Sequence, residues 1–203
     1  NVAIGMMAAE ALTGENNVII GKEAGRNASS ADQNVFIGRN AASGATITGD
    51  DNVYIGDSAG FALTSGAYNV GIGRNALYAM HSADANTAVG FDAAKALTTG
   101  ASNTAIGRSA LAVQTTGHYN TAVGQNALTA NNSFGWFNTG IGTSAGGGIT
   151  TGSRHTCLGY GAGSNAVSGT KTTFLGFQAL ASGTAASEEI VIGPEITGKG
   201  NST

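Results

Sequence analysis

The sequence predicts an all-β fold, a parallel β-helix or β-roll solenoid of about twelve 17-residue coils. Three observations predict it. First, a Gly recurs at Gly5, Gly21, Gly38, Gly56, Gly73, Gly90, Gly107, Gly124, Gly142, Gly159, Gly176 and Gly193, at spacings of 16 to 18 residues. Second, the residue before each of these is aliphatic, and two positions earlier stands a β-branched residue, Val in the first five copies, then Thr, then Ile190. β-Branched residues at period two are a strand signal. Third, Ala stands three residues after the Gly in eleven of the twelve copies, from Ala8 to Ala179. A register held this long marks one repeat array.

Each copy reads as a short strand, a Gly turn, a stretch of small residues and a second turn, often Thr-Gly as at Thr116-Gly117. Seventeen residues are too few for a strand with a packed helix, so the coils are expected to stack with strands parallel. At ~4.8 Å per step, twelve coils span roughly 50–60 Å. The array covers residues 1–193 as a single domain. Residues 194–203 read as a segment leaving it, with Pro194 unable to donate a ladder hydrogen bond. Asn1 already lies inside the repeated phrase, which reads as a piece of a longer polypeptide.

Within each strand the β-branched residue and the aliphatic before Gly are expected to point inward. The residue between them (Ala3, Ile19, Phe36, Tyr54, Gly71, Ala88, Ala105, Ala122, Gly140, Cys157, Phe174, Val191) is then expected to face out. None of that column is charged, and an apolar outer strip implies a cover. Lateral association of copies of this chain is therefore expected.

Composition narrows function. The chain has 33 Gly, one Pro, 10% charged residues and a formal net charge of −3. Average chains carry about 25% charged residues. With nine Lys and Arg in all there is no basic patch for nucleic acid. No apolar run approaches the ~18 residues of a membrane span. Cys157 is the single cysteine, so no intrachain disulfide forms.

Chemistry is sparse. The recurring Gly phrase lacks the strand–loop–helix context and downstream Lys of a phosphate loop. The column Asn1, Asn17, Asn34, Asn52, Asn69, Asn86, Asn103, Asn120 and Asn138, lapsing to His155, Thr172 and Glu189, reads as a structural amide ladder. No Cys, His or carboxylate set has metal-ligand spacing, no cofactor is expected, and the chain reads as no enzyme. A glycan-cleaving reading would need paired carboxylates ~5–9.5 Å apart. Asp57 and Asp92, the nearest candidates, stand two coil steps apart. An ice-binding reading, suggested by the column Thr87, Thr104, Thr121, Thr139, Thr156 and Thr173, is set aside because that column shares the inward phase. One irregular turn, NNSFGWFN, groups Phe134, Trp136 and Phe137 as candidate ligand contacts, with packing against a neighbouring chain as the plainer account.

The phrases NTAIGRSAL, NTAVGQNAL and NVYIGDSAG resemble the repeats of bacteriophage tail fibres and the head repeats of trimeric autotransporter adhesins. The period here is longer than in those adhesin heads. The resemblance implies a homotrimer and an extracellular location, on a virion tail fibre or a bacterial surface. It implies a structural segment that spaces or displays a receptor-binding region, with a host-surface glycan or protein as the further partner. The alternatives are a glycan-binding or glycan-cleaving β-helix and an ice-binding solenoid.

Overall fold

A computed structural model describes residues 1–130 and 135–199. It contains twelve three-residue strands, β1 (Val2–Ile4), β2 (Val18–Ile20), β3 (Val35–Ile37), β4 (Val53–Ile55), β5 (Val70–Ile72), β6 (Thr87–Val89), β7 (Thr104–Ile106), β8 (Thr121–Val123), β9 (Thr139–Ile141), β10 (Thr156–Leu158), β11 (Thr173–Leu175) and β12 (Ile190–Ile192). They form one sheet in chain order, every neighbour parallel. Register is one-to-one by column: Thr104 pairs Thr121, Ala105 pairs Ala122, Ile106 pairs Val123. Among the described residues there is no helix, and the solenoid is the fold.

Short strands follow from the turns that bound them. Each anchor Gly adopts φ between +126° and +138°. That region is essentially closed to side chains. Five residues before each anchor from Gly21 onward the backbone is left-handed as well, from Asn16 (φ 59°) through Tyr119 (φ 58°) to Glu188 (φ 57°). The chain turns a corner on both sides of every strand. Between corners the backbone bonds run from coil to coil, as from Thr104 N–H to Asn120 C=O (2.8 Å) and from Gly107 N–H to Val89 C=O (2.8 Å).

The expected strand phase is corrected. The middle residue of each strand from Ile19 to Val191 points into the coil and is buried, while its two neighbours face outward and are half-buried or exposed. Ala122 lies in the core and does not face a neighbour. The reason is volume. The interior already holds the Ala three residues past the anchor and the Leu that follows it, such as Ala110 with Leu111 and Ala127 with Leu128. A flat coil has no room for two further branched side chains per level, so one residue per strand enters the core, Ala or Gly in most of the central coils and larger at Ile19, Phe36, Tyr54 and Phe174, and its two neighbours are turned out.

Large members of the inner column are matched by glycine. Tyr54 is fully buried, and a Cβ on Gly71 or Gly60 would stand 2.7 or 2.6 Å from its ring. A Cβ on Gly163 would likewise meet Cys157 Sγ and Phe174 at 2.6 Å. Close packing of this kind leaves no slack for added volume.

Candidate functional site

The asparagine column lies inside the coil, in phase with the middle strand residue, and is buried from Asn17 to Asn138. Each amide ties three coils. Asn103 N–H donates to Asn86 Oδ1 (2.9 Å), Asn103 Nδ2 donates to Gly117 C=O (2.9 Å), and Asn103 Oδ1 accepts from Asn120 N–H (3.0 Å). The same pattern holds for Asn52, Asn69, Asn86 and Asn120. Asn138 Oδ1 accepts from His155 N–H (3.0 Å). The amides are saturated by the chain itself and offer nothing to a ligand.

His155 takes over the column in the tenth coil. It is fully buried, its Nδ1 meets Thr172 Oγ1, and its Nε2 has no hydrogen-bond partner. Burial lowers its pKa below the ordinary value, with the Gly169 backbone opposing in part. The folded chain therefore holds a neutral imidazole, and the unfolded chain binds its proton first. Stability is complete above the unfolded value near 6.5 and falls as pH drops below it. We expect the melting temperature to fall between pH 7.5 and pH 5, and His155→Asn to remove most of that fall while restoring the ladder. An unchanged pH profile in the variant would assign the acid sensitivity elsewhere.

Cys157 is buried in the inner column, and burial pushes its thiol pKa up to about 12. It is protonated and unreactive at neutral pH. Asp57 does not pair with Asp92. Arg39 Nη2 holds Asp57 at 2.7 Å and keeps its carboxyl below the usual range, and Asp92 accepts from Asn75 Nδ2 (2.8 Å) and lies 3.6 Å from Lys95 Nζ. Among the described residues no group of three His, Cys, Asp or Glu could hold a metal ion, and no helix is long and apolar enough to cross a membrane. A depression of about 400 Å3 lies against β12, between Glu188, Glu189, Ile196 and Lys199.

Two surfaces remain. The first is the outward face of the sheet, two columns wide and twelve strands tall. One column runs Val in β1–β5, Thr in β6–β11 and Ile190; the other is Ile, Val or Leu throughout. Ile72, Ile106, Ile141, Leu158 and Leu175 are each 37–44% exposed. The threonine column thus faces out, which removes the ground on which an ordered-water template was set aside. This face could not be found from the expected phase, although its lack of charge is legible in either phase.

The second is an aromatic corner beside β8 and β9. Tyr119 stacks on Phe137 (centroids 5.1 Å, planes 4° apart), and Trp136 meets His118 edge to face at 5.4 Å. Tyr119, Trp136 and Phe137 are 55%, 45% and 48% exposed. The structure brings Trp136 and Phe137 together; Phe134 lies outside the described residues. Tyr119 and His118 join the corner because they occupy the same two columns one coil earlier, a signal present in the repeat spacing.

Comparison with family models, with curated proteins and with solved structures returns no match, so function rests on these surfaces and on the fold.

Proposed function

We propose that the chain is a structural segment of an extracellular fibre, a homotrimer in the manner of phage tail fibres or bacterial surface adhesins, that spaces or displays a receptor-binding region. The observation that carries this reading is the uninterrupted twelve-strand register, in which each coil adds one ~4.8 Å step. Asp57 is held by Arg39 and the one thiol is buried, which is in keeping with a mechanical role. Deleting residues 87–120 joins Asn86 to Thr121 and removes two coils in phase. Small-angle scattering should show a folded rod shorter by about 10 Å. A misfolded product, or an unchanged length, would count against a modular spacer.

The aromatic corner supports a second reading, contact with a host-surface glycan. Rings exposed by about half, with Tyr119 of one coil stacked on Phe137 of the next beside Trp136, offer an apolar platform that suits a sugar ring. Trp136→Ala should weaken binding of the intact fibre to cells or glycan arrays at least tenfold while leaving its melting temperature nearly unchanged. Full binding by the variant would leave the corner a packing feature.

A further inference from the structure

We propose that the aromatic corner binds a sugar that carries a carboxylate, a uronic or a sialic acid, and that Arg154 selects it by holding that carboxylate. The inference rests on the glycan reading above and adds to it the class of sugar and the residue that sets the preference.

The corner is built across three successive coils. Phe137 N–H donates to His118 C=O (3.3 Å), and Arg154 N–H donates to Trp136 C=O (3.0 Å). Trp136 N–H donates to Ser153 Oγ (3.1 Å). Arg154 therefore occupies the column of Tyr119 and Phe137, one step of ~4.8 Å beyond Phe137. The stack of Tyr119 on Phe137 has nearly the same spacing, 5.1 Å, so it runs along the rod toward the level of Arg154. A sugar residue spans about one such step, so a ring seated beside Phe137 brings its carboxylate to the Arg154 level.

The polar groups of the corner are donors. His118 Nδ1 accepts from Ala101 N–H (3.0 Å), which leaves Nε2–H as the donor of a neutral ring. The Trp136 indole N–H and the Arg154 guanidinium have no hydrogen-bond or ion-pair partner among the described residues. Neighbouring charges do not reach Arg154. Lys171, one coil further, is paired with Glu188 (2.9 Å), and Asp84, two coils before His118, accepts from Ala67 N–H (2.8 Å). An apolar platform with several donors and one unpaired cation fits an acceptor-rich ligand with one negative charge. A carboxylate meets the guanidinium through two parallel hydrogen bonds. A phosphomonoester carries about −1.5 to −2 at neutral pH, and the described residues of the corner hold no second unpaired cation for it.

The test is titration calorimetry on the full chain with trigalacturonate and with sialyllactose, each beside its neutral methyl ester. The parent chain should bind one of the two acids about ten- to hundredfold more tightly than its ester, the range for a hydrogen bond to a charged group. The acid that shows the difference assigns the uronic or the sialic class. Arg154→Gln should erase the difference and leave the affinity for the ester and the melting temperature unchanged, since Arg154 is exposed. Lys171→Gln removes a cation already paired with Glu188 and should keep the difference. Equal binding of acid and ester by the parent chain overturns the acidic preference and leaves the glycan reading intact. Binding of neither acids nor esters overturns both. A preference that survives Arg154→Gln, or that is lost equally in Lys171→Gln, overturns the role of Arg154.

Discussion

Gly107→Ala should unfold the centre of the array or lower its stability by roughly 2–6 kcal/mol, the sum of two independent costs. Gly107 has φ +128°, a conformation that L side chains rarely adopt. A Cβ built there would also stand 2.6 Å from the carbonyl oxygen of Gly124 and 2.7 Å from its carbonyl carbon. Those atoms are backbone, held by the ladder, and cannot yield as a flexible side chain would. The anchor column is glycine because each anchor is roofed by the next, as Gly90 is by Gly107 and Gly124 by Gly142. Ser109→Gly makes the contrasting control. Its φ of 56° is left-handed and tolerated, so the change should be neutral or slightly stabilising. Chemical denaturation of the two variants, compared at one protein concentration, distinguishes a backbone requirement from a general sensitivity of the turns.

The period, the strands and the all-β class were legible because each rests on a repeated column. The phase was not, and particular residues explain why. Alternation places Val70 and Ile72 on one side and Gly71 on the other, but does not say which side is the core. Bulk and branching favour the wrong answer, since Val and Ile are ordinarily interior residues. The decisive clue lay two positions upstream. Asn69, Asn86 and Asn103 share the phase of the middle residue, and a ladder of saturated amides belongs inside, where each can reach the coils above and below. Gly71 beside Tyr54, and Gly140 beside Leu128, point the same way, because small residues compensate large ones only where space is shared. The inference of an apolar, covered outer strip is unchanged in kind and moves to different residues. Aromatic pairing across coils was legible only in part, since Phe134 and Phe137 are close in sequence while the stack joins Phe137 to Tyr119.

Asn103→Ala should cost roughly 2–5 kcal/mol, more than the deletion of an ordinary core side chain of its size, because the amide serves neighbours rather than itself. Its loss leaves the Asn120 N–H and the Gly117 C=O without their partners, both buried between coils. An unmet buried polar group costs about 1–3 kcal/mol, and truncation to a methyl group also leaves a cavity where the amide stood. Asn103→Asp separates the two halves of the ladder. Its carboxylate still accepts from Asn120 N–H but cannot donate to Gly117 C=O, and near neutral pH it places a charge beside Asn86 Oδ1. Protonating that carboxyl restores a donor, so this variant should gain stability on acidification, opposite in sign to the behaviour expected from His155. Hydrogen exchange provides the local measure: in Asn103→Ala, protection should drop first at the amides of Thr104 and Asn120, on the coils the side chain joined, and last at the ends of the sheet. Uniform loss along all twelve strands would mean that the array unfolds as one unit, and that no single rung of the ladder has a stability of its own.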